Sequence, residues 1–439
     1  MPDDAHNYRR ILSILAIGSL FLAGSHGKAL AEPRFGDSTW VAPTYLEIEG
    51  DPGDPGPRVA KPDHERPWET ALRTPFRVAF LPLRLLARGI EATGPLVEKH
   101  IPEGAVSRTK TEKRGLKFSP ELLGATVAMP QLVGPGSRVA LTGIWAPSGN
   151  RKVKLRGFVG EGVSQVGAGF DALYDFRPDR RFYGIGNLTD SRATYFRRRV
   201  NLGSVYAFAG KNPMRRARVT LGISDVSAGR GNGRTPRSDD VFQPADAPFL
   251  DRGSKVWWYG SSADFAALDD TLEPSLGLHF RPDVRRFQSA DGTNLEYDQW
   301  RFEARGYLPV FAKRRVLAGR LVYQGVDRRN GSCPIPFYRL PESTDENRFA
   351  AYPSGRFRDQ RLAIGHAEYR WEIEPPLWAF LLGELAEVAP SSNQLSLRSA
   401  HPSLGGGLRA RIGRTETARV QIAHGQEGMN LKLDLEAMF

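Results

Sequence analysis

Residues that could support chemistry are scattered along this 439-residue chain. His366 and Glu368 would share one face of a strand, but adjacent polar residues on one face are usual in an amphipathic strand. Ser391, Ser392 and His401 are not accompanied by a Gly-x-Ser-x-Gly elbow, the turn that exposes a nucleophilic serine. Six histidines follow residue 31 without metal-ligand spacing, at positions 64, 100, 279, 366, 401 and 424. We therefore expect no catalytic residue, no metal site and no cofactor.

The end of the chain alternates strictly between apolar and polar residues. Its apolar members are Met429, Leu431, Leu433, Leu435, Ala437 and Phe439, and its polar members are Asn430, Lys432, Asp434 and Glu436. This period of two predicts a β-strand with one apolar and one charged face. The same alternation recurs upstream, within residues 152–159, 217–223, 300–308, 363–373, 408–412 and 419–422. Charged residues share one face too regularly for a soluble barrel, whose interior is apolar, so a charged lumen and a lipid-facing exterior fit better.

Connection lengths also indicate a barrel. The connections at 228–249 and 327–341 are long, and they alternate with tight turns such as 147–150. Long loops at one end and short turns at the other are typical of membrane barrels. At about 20 residues per strand and connection, residues 116–439 allow about 16 strands. The predicted fold is all-β, an antiparallel transmembrane β-barrel of about 16 strands.

The N-terminus predicts export. Arg9 and Arg10 precede an apolar run, and Ala29-Leu30-Ala31 is a typical cleavage pattern, so residues 1–31 are predicted to be a signal peptide. The net charge of +12 indicates anionic partners. Because an exported chain rarely meets nucleic acid, we expect outer-membrane lipids and lipopolysaccharide as partners, and no nucleic acid. A mean hydropathy of −0.40 is compatible with a barrel, because polar lumen residues dilute each strand.

Two segments precede the predicted barrel. Residues 32–67 are rich in proline and glycine and are predicted to be a disordered linker. Residues 68–100 are predicted to form a basic amphipathic helix that Pro82 kinks. Its arginines fall within about 60° of one another on a helix and are candidates for anionic-lipid contact: Arg73, Arg77, Arg84 and Arg88. A helix that plugs the barrel is the alternative, and an apolar face reaching Leu85 favours the membrane surface.

Several motifs resemble those of one family. The segment 181–187 reads Arg-Phe-Tyr-Gly-Ile-Gly-Asn, and 336–341, 352–359 and 367–371 follow in a matching order. Together they resemble the bacterial surface antigen barrels, the superfamily that includes the BamA and TamA outer-membrane assembly proteins. The resemblance covers about residues 116–439. It implies that the connection before the strand at 363–373 folds back into the lumen, and that the terminal Leu433, Leu435 and Phe439 form the signal read by the barrel-assembly machinery.

Two departures from the family stand out. The family's lumenal loop carries an Arg-Gly-aromatic tip that corresponds here to Ala350, Ala351 and Tyr352. The acidic strand motif that this arginine meets in the family corresponds to Gly383-Glu384-Leu385-Ala386. Arg356, Arg358 and Asp359 are therefore the candidates for holding the loop, with Glu368 and Glu384 as wall partners. The second departure is the absence of room for POTRA domains in residues 32–115, which are short and broken by prolines.

The resemblance implies a function in protein or lipid insertion or translocation at the outer membrane. A passive diffusion channel is the alternative, and an outer-membrane lipid-modifying enzyme is the third hypothesis, although we expect no enzyme. Cargo, pore state and accessory proteins are not predicted by the sequence.

Overall fold

The computed structural model describes residues 115–434, apart from 120–122, 135, 147, 162–163, 211, 213, 271–272, 311, 330, 344–348, 375–376 and 413–415. The predicted signal peptide (1–31), linker (32–67) and helix (68–100) lie outside the described residues. Leu435 and Phe439 do so as well. These assignments stay predictions.

Within the described residues, sixteen strands form one antiparallel sheet in which every strand pairs with its neighbours in sequence. They are β1 Gly115–Ser119, β2 Leu123–Pro130, β3 Arg138–Trp145, β4 Arg151–Val159, β5 Val166–Phe182, β6 Thr194–Ala209, β7 Arg215–Arg230, β8 Gly253–Leu268, β9 Gly277–Ser289, β10 Glu296–Val310, β11 Ala312–Arg328, β12 Arg361–Glu374, β13 Leu377–Ala389, β14 His401–Ile412, β15 Glu416–Gly425 and β16 Gly428–Asp434. The predicted all-β fold of about 16 strands is confirmed. A short helix, α1 (Ser238–Val241), and 3₁₀ turns at Phe337–Arg339 and Ser392–Gln394 lie between strands. No helix among the described residues is both long and apolar enough to cross a bilayer.

Alternation along each strand separates an apolar outer face from a polar inner face. On β13, Leu381 and Leu385 are 57% and 44% exposed, whereas Leu382 and Glu384 are each 3% exposed. The same contrast holds on β11, where Leu321 is exposed and its neighbour Arg320 is buried. Because successive side chains point to opposite faces, the charged residues of the predicted pattern line the interior. Exposed aliphatic and aromatic residues form a band around the outside, including Val153, Phe170, Val205, Leu221, Trp257, Phe280, Phe302, Leu404 and Leu431.

The two ends of the sheet differ in their connections. Connections that follow odd-numbered strands define the long-loop end, and they include residues 183–193, 231–252 and 329–360. Connections that follow even-numbered strands define the short-turn end. The turn around Gly149 joins β3 to β4, so it lies at the long-loop end, contrary to the expectation that it marks the opposite end.

Most of the described apolar core lies on the inner side of the sheet toward the long-loop end, while a small cluster around Tyr307 and Val316 lies toward the short-turn end. One cluster joins the tip of the 329–360 connection to β12 and β13, through residues such as Phe349, Tyr352, Ile364 and Phe380. A second cluster joins Phe337 of the same connection to residues of β5, β6 and β7. The longest connection therefore supplies packing to opposite parts of the sheet.

Candidate functional site: the inserted loop

Residues 329–360, here called the inserted loop, lie on the inner side of the sheet where the structure describes them, which leaves out 330 and 344–348. Lys432 Nζ donates a hydrogen bond to the carbonyl of Phe349 over 2.7 Å, and Asn430 Nδ2 donates to the carbonyl of Ala350 over 2.9 Å. On the same strand, Met429 and Leu431 alternate with these polar residues and are exposed on the outer face. The loop tip therefore contacts the face of β16 that points away from the apolar band.

Aromatic packing fills the space around the tip. The rings of Phe349 and Tyr352 stack with centroids 4.6 Å apart, and the ring of Phe357 stacks on the imidazole of His401 at 4.1 Å. A Cβ at Gly425 would lie 2.8 Å from the Tyr352 ring, so a glycine there permits the close approach. Burial of these rings gives the tip a fixed position against the wall.

Glu384 anchors the tip through its backbone. One carboxylate oxygen of Glu384 accepts a hydrogen bond from the amide of Ala350 over 2.7 Å, and the other lies 2.8 Å from Nδ1 of His366. Both Ala350 and Glu384 are buried. The contact needs no side chain at position 350, which explains physically how alanine can stand where the family has arginine. His366 supplies the wall-side partner of the carboxylate.

Glu368, the other predicted wall partner, is bonded within the wall instead. Its carboxylate accepts a hydrogen bond from Arg370 over 2.6 Å and another from Arg419 over 2.7 Å. His366 Nε2 lies 3.6 Å from the same carboxylate. The structure thus brings Glu384 to the loop, whereas Glu368 bonds to arginines of β12 and β15 and is linked to Glu384 through His366.

Arg356 links the inserted loop to two other connections. Its guanidinium donates to the Glu427 carboxylate in the β15–β16 turn over 2.7 Å. It also donates to Oγ1 and the carbonyl of Thr189, between β5 and β6, over 2.6 and 2.8 Å. With its side chain 4% exposed, this arginine acts as a buried tie between segments far apart in the sequence.

Arg358 is held by a carboxylate that the sequence analysis did not identify. Glu342, within the same loop, accepts hydrogen bonds from Arg358 and from Arg180 of β5. Burial alone would raise the pKa of Glu342, but Arg180 and Arg358 hold it at about 2. The carboxylate therefore stays charged at neutral pH. The amide of Gly186 donates to the carbonyl of Arg358 over 2.8 Å, which brings the 181–187 motif against the loop.

The start of the loop is fixed by a further arginine. Arg339 donates to Oγ and to the carbonyl of Ser254 over 2.8 and 2.9 Å, and to the carbonyl of Ser224 over 3.2 Å. No sequence signal singled out Arg339, because its partners are ordinary serines of β7 and β8. Asp359 instead makes local contacts: its carboxylate accepts the amide of Gln360 over 2.7 Å, and burial raises its pKa.

The remaining predicted site residues are distributed as follows. Leu433 lies on the exposed outer face of β16. Leu435, Phe439 and the four helix arginines Arg73, Arg77, Arg84 and Arg88 lie outside the described residues. Their roles in barrel assembly and lipid contact stay predictions.

Comparisons with known proteins bear on the fold. No family model and no curated protein matches the chain. Among solved structures, the crystal structure of BamA from Haemophilus ducreyi lacking POTRA domains 1–3 aligns with a TM-score of 0.53 and 14% identity. The alignment covers 70% of this chain and 65% of that one, just under two thirds. A BamA-like barrel fold is confirmed, and none of the described residues forms a POTRA domain.

Two other barrels align less well. CdiB from Acinetobacter baumannii has a TM-score of 0.46 and 8% identity, covering 71% of this chain and 55% of that one. Wzi, an outer-membrane carbohydrate-binding barrel involved in group 1 capsule assembly in Escherichia coli, has a TM-score of 0.28 and 10% identity, covering 75% and 79%.

Proposed function

We propose that this chain is a bacterial outer-membrane barrel that acts in protein or lipid insertion or translocation, with the inserted loop as an internal brace. The observation that carries the proposal is the attachment of one loop to opposite parts of the wall. Arg339 bonds to β7 and β8, while the backbone at Ala350 bonds to β13 and β16. Such a brace keeps the barrel in shape when part of the wall rearranges.

The outer face supports a membrane location. Exposed residues such as Val205, Leu321 and Leu381 alternate with inward polar residues, and a continuous band of this kind would be unfavourable in water. This apolar band would instead be stable in contact with lipid acyl chains. Outer-membrane lipids and lipopolysaccharide are the expected surroundings, and export through cleavage after residue 31 stays a prediction.

The first and last strands of the sheet suggest where a client, an unfolded protein that is to be inserted into the membrane, would bind. The strands β1 and β16 are the first and last of the sheet, and among the described residues they do not pair with each other. Their outer edges are therefore the place where an incoming strand could pair without breaking an existing ladder. A strand edge exposed in this way can accept an incoming strand.

A passive diffusion channel accounts less well for the inserted loop. The loop buries Phe337, Phe349 and Tyr352 inside the barrel, and its arginines have buried partners rather than a clear passage. A lipid-modifying enzyme has less support, because the His366 imidazole is buried between Glu384 and Glu368 on the inner face of the sheet, away from the apolar outer band.

The test uses the full chain reconstituted in liposomes of bacterial lipids. A urea-unfolded eight-stranded barrel is added as client, and a labelled phospholipid reports lipid transfer. We expect faster client folding or faster lipid transfer than in liposomes that contain an unrelated closed barrel, together with low steady conductance in planar bilayers. A steady ohmic conductance with neither acceleration would contradict the proposal and identify a diffusion channel.

Biogenesis can be tested separately. Deletion of Phe439 should reduce outer-membrane yield if the barrel-assembly machinery reads the terminal aromatic residue. Unchanged yield and unchanged heat-modifiable migration on gels would disprove that assignment.

A further inference from the structure

A second, different part of the lumen contains a basic pocket. The pocket is about 230 Å³ in volume and lies along β4 to β9. Its cationic side chains are Lys154, Arg156, Arg218, Arg281 and Arg285. Arg218 is near the start of β7 and Arg281 near the start of β9, and both strands start at the short-turn end. The pocket is therefore in the half of the lumen that the inserted loop does not fill.

Strand alternation explains why these cations point inward. On β4, Lys154 and Arg156 alternate with Val153, which is exposed on the outer face. On β7, Arg218 lies between Ala217 and Val219, both exposed on the apolar band. Moving any of these cations outward would require a shift of register by one residue, which would also turn the aliphatic residues into the lumen.

The acidic residues of the pocket do not balance its cations. Asp171 pairs with Arg156 over 2.8 Å, and Asp283 pairs with Arg285 over 2.8 Å. These two are the only acidic side chains that line the pocket, against five cationic ones. Each carboxylate is already used by one arginine, and Asp264, which does not line the pocket, lies 3.7 Å from Arg281. Five cations against these three carboxylates leave an excess of positive charge.

Arg218 differs from the other three arginines of the pocket, each of which forms an ion pair, although the Asp264 carboxylate interacts with its charge at longer range. Its guanidinium lies 4.3 Å from the centre of the Tyr206 ring. Among the described residues, no carboxylate forms an ion pair with it. The pocket is also accessible: the side chains of Arg156 and Arg281 are 49% and 48% exposed. A solute in the lumen can therefore reach these donors.

Geometry and size limit the ligand. Guanidinium groups bind oxyanions through paired N–H donors, and Thr220 and Ser262 add hydroxyl donors to the lining. Pockets for drug-sized ligands are about 300 to 1,000 Å³, so this one suits a single small group. A narrow lumen walled by low-dielectric material also focuses the potential of its excess charge.

We propose that this pocket binds the phosphate group of a phosphorylated ligand through Arg218 and Arg281. The group comes either from a free solute or from a phosphate-bearing lipid that enters at the short-turn end. This binding does not depend on the insertion or translocation activity proposed above, and it is measured without that activity.

Inorganic pyrophosphate is the probe. The full chain is folded in zwitterionic detergent, and its folding is checked by heat-modifiable migration on gels. Pyrophosphate is then titrated into it at low salt, and binding is measured by isothermal titration calorimetry. We expect saturable binding that is weakened about tenfold in Arg218→Gln and in Arg281→Gln, since each loses a charge-assisted hydrogen-bond donor. Arg328→Gln removes the same charge from an exposed position at the end of β11 and should leave the affinity unchanged.

Two further measurements keep the proposal falsifiable. If Arg218→Gln does not fold, Arg218→Lys keeps the charge but loses the paired donors, and it should bind more weakly than the wild type. Absence of saturable binding by the wild type, or equal loss in Arg328→Gln and Arg281→Gln, would overturn the proposal. Titration in proteoliposomes with and without phosphatidic acid then identifies the source: competition indicates a lipid phosphate, and no competition indicates a free solute.

Discussion

The inserted loop and the basic pocket use arginine in different ways. At the long-loop end, Arg356 and Arg358 have side chains 4% and 1% exposed, and each has a carboxylate partner. In the basic pocket, Arg156 and Arg281 each have a carboxylate nearby but are about half exposed, and Arg218 has no ion-pair partner among the described residues. A buried arginine needs a partner because an uncompensated charge inside the protein is costly. A hydrated arginine is stabilised by water, so it can stay available to bind a ligand. The inserted loop is built to hold its own chain, and the basic pocket to receive an anion.

The largest expected effect is the loss of stability when Glu342 is removed from the inserted loop, compared with the removal of Asp171 from the basic pocket. Glu342→Ala leaves Arg180 and Arg358 without their shared partner, and we expect the free energy of unfolding to fall by about 3 to 5 kcal/mol. Asp171→Ala removes the partner of the exposed Arg156 and should cost less than about 1 kcal/mol. Urea unfolding in detergent, followed by tryptophan fluorescence, measures both. Equal losses would mean that the two regions do not differ as described.

Acid should act on the loop-filled half through Glu342. Its folded pKa of about 2 is below the ordinary 4.5, so its stabilising contribution is complete above about pH 4.5 and is lost as the pH falls toward 2. The contribution is about 3 kcal/mol. A polarity-sensitive dye on Ser354→Cys, in a Cys333→Ser background, should report release of the loop over that range. Adding Glu342→Gln should remove this pH dependence, and an identical acid transition in that variant would assign the effect to another group.

The tip anchor offers a finer test of the same half. Glu384→Ala removes the acceptor of the Ala350 amide, and we expect a loss of about 1 to 3 kcal/mol. Glu384→Gln keeps an oxygen for that amide and should lose less. Hydrogen exchange of a peptide that contains Ala350 should therefore increase more in the alanine variant. The same increase in both variants would show that the charge facing His366, rather than the backbone contact, holds the tip.

The smallest effect is a difference in labelling rates between the halves. In a Cys333→Ser background, a cysteine at Ser262 should react faster with an anionic thiol reagent than with a cationic one, by about tenfold. A cysteine at Ser354 should react slowly with both, because the loop is packed against the wall. A bulky impermeant maleimide on intact cells provides the matched measurement at Ser354. Fast labelling there would place the loop outside the lumen.

The strands could be predicted because each carries its own evidence. The alternation on β4 or β16 is contained within the strand itself, so it predicts both the strand and its outward apolar face. The entry of the loop into the lumen followed from resemblance to a family rather than from any local pattern. Individual ion pairs were harder, since Arg356 finds Thr189 at a distance of 167 residues in sequence.

Glu368 and Glu342 illustrate why the sequence does not predict individual ion pairs. Alternation predicts that Glu368 faces the lumen, but it does not reveal that Arg370 and Arg419 already occupy its carboxylate. Glu342 lies in a connection with no periodic pattern, so nothing local marked it as the partner of Arg358. Which charges form ion pairs depends on how connections that are far apart in the sequence meet on the inner side of the sheet, and the packing of the whole molecule determines this.

The contact between Glu384 and the amide of Ala350 has an evolutionary consequence. An anchor that binds the main chain does not itself require a particular side chain at that position, so the residue type can change while the loop stays docked, provided that the side chain fits the buried space around Ala350. The residue types at the loop tip are then a poor marker of a barrel with an inserted loop. A search for divergent relatives should look for an inward carboxylate on the thirteenth strand and for donors on the sixteenth.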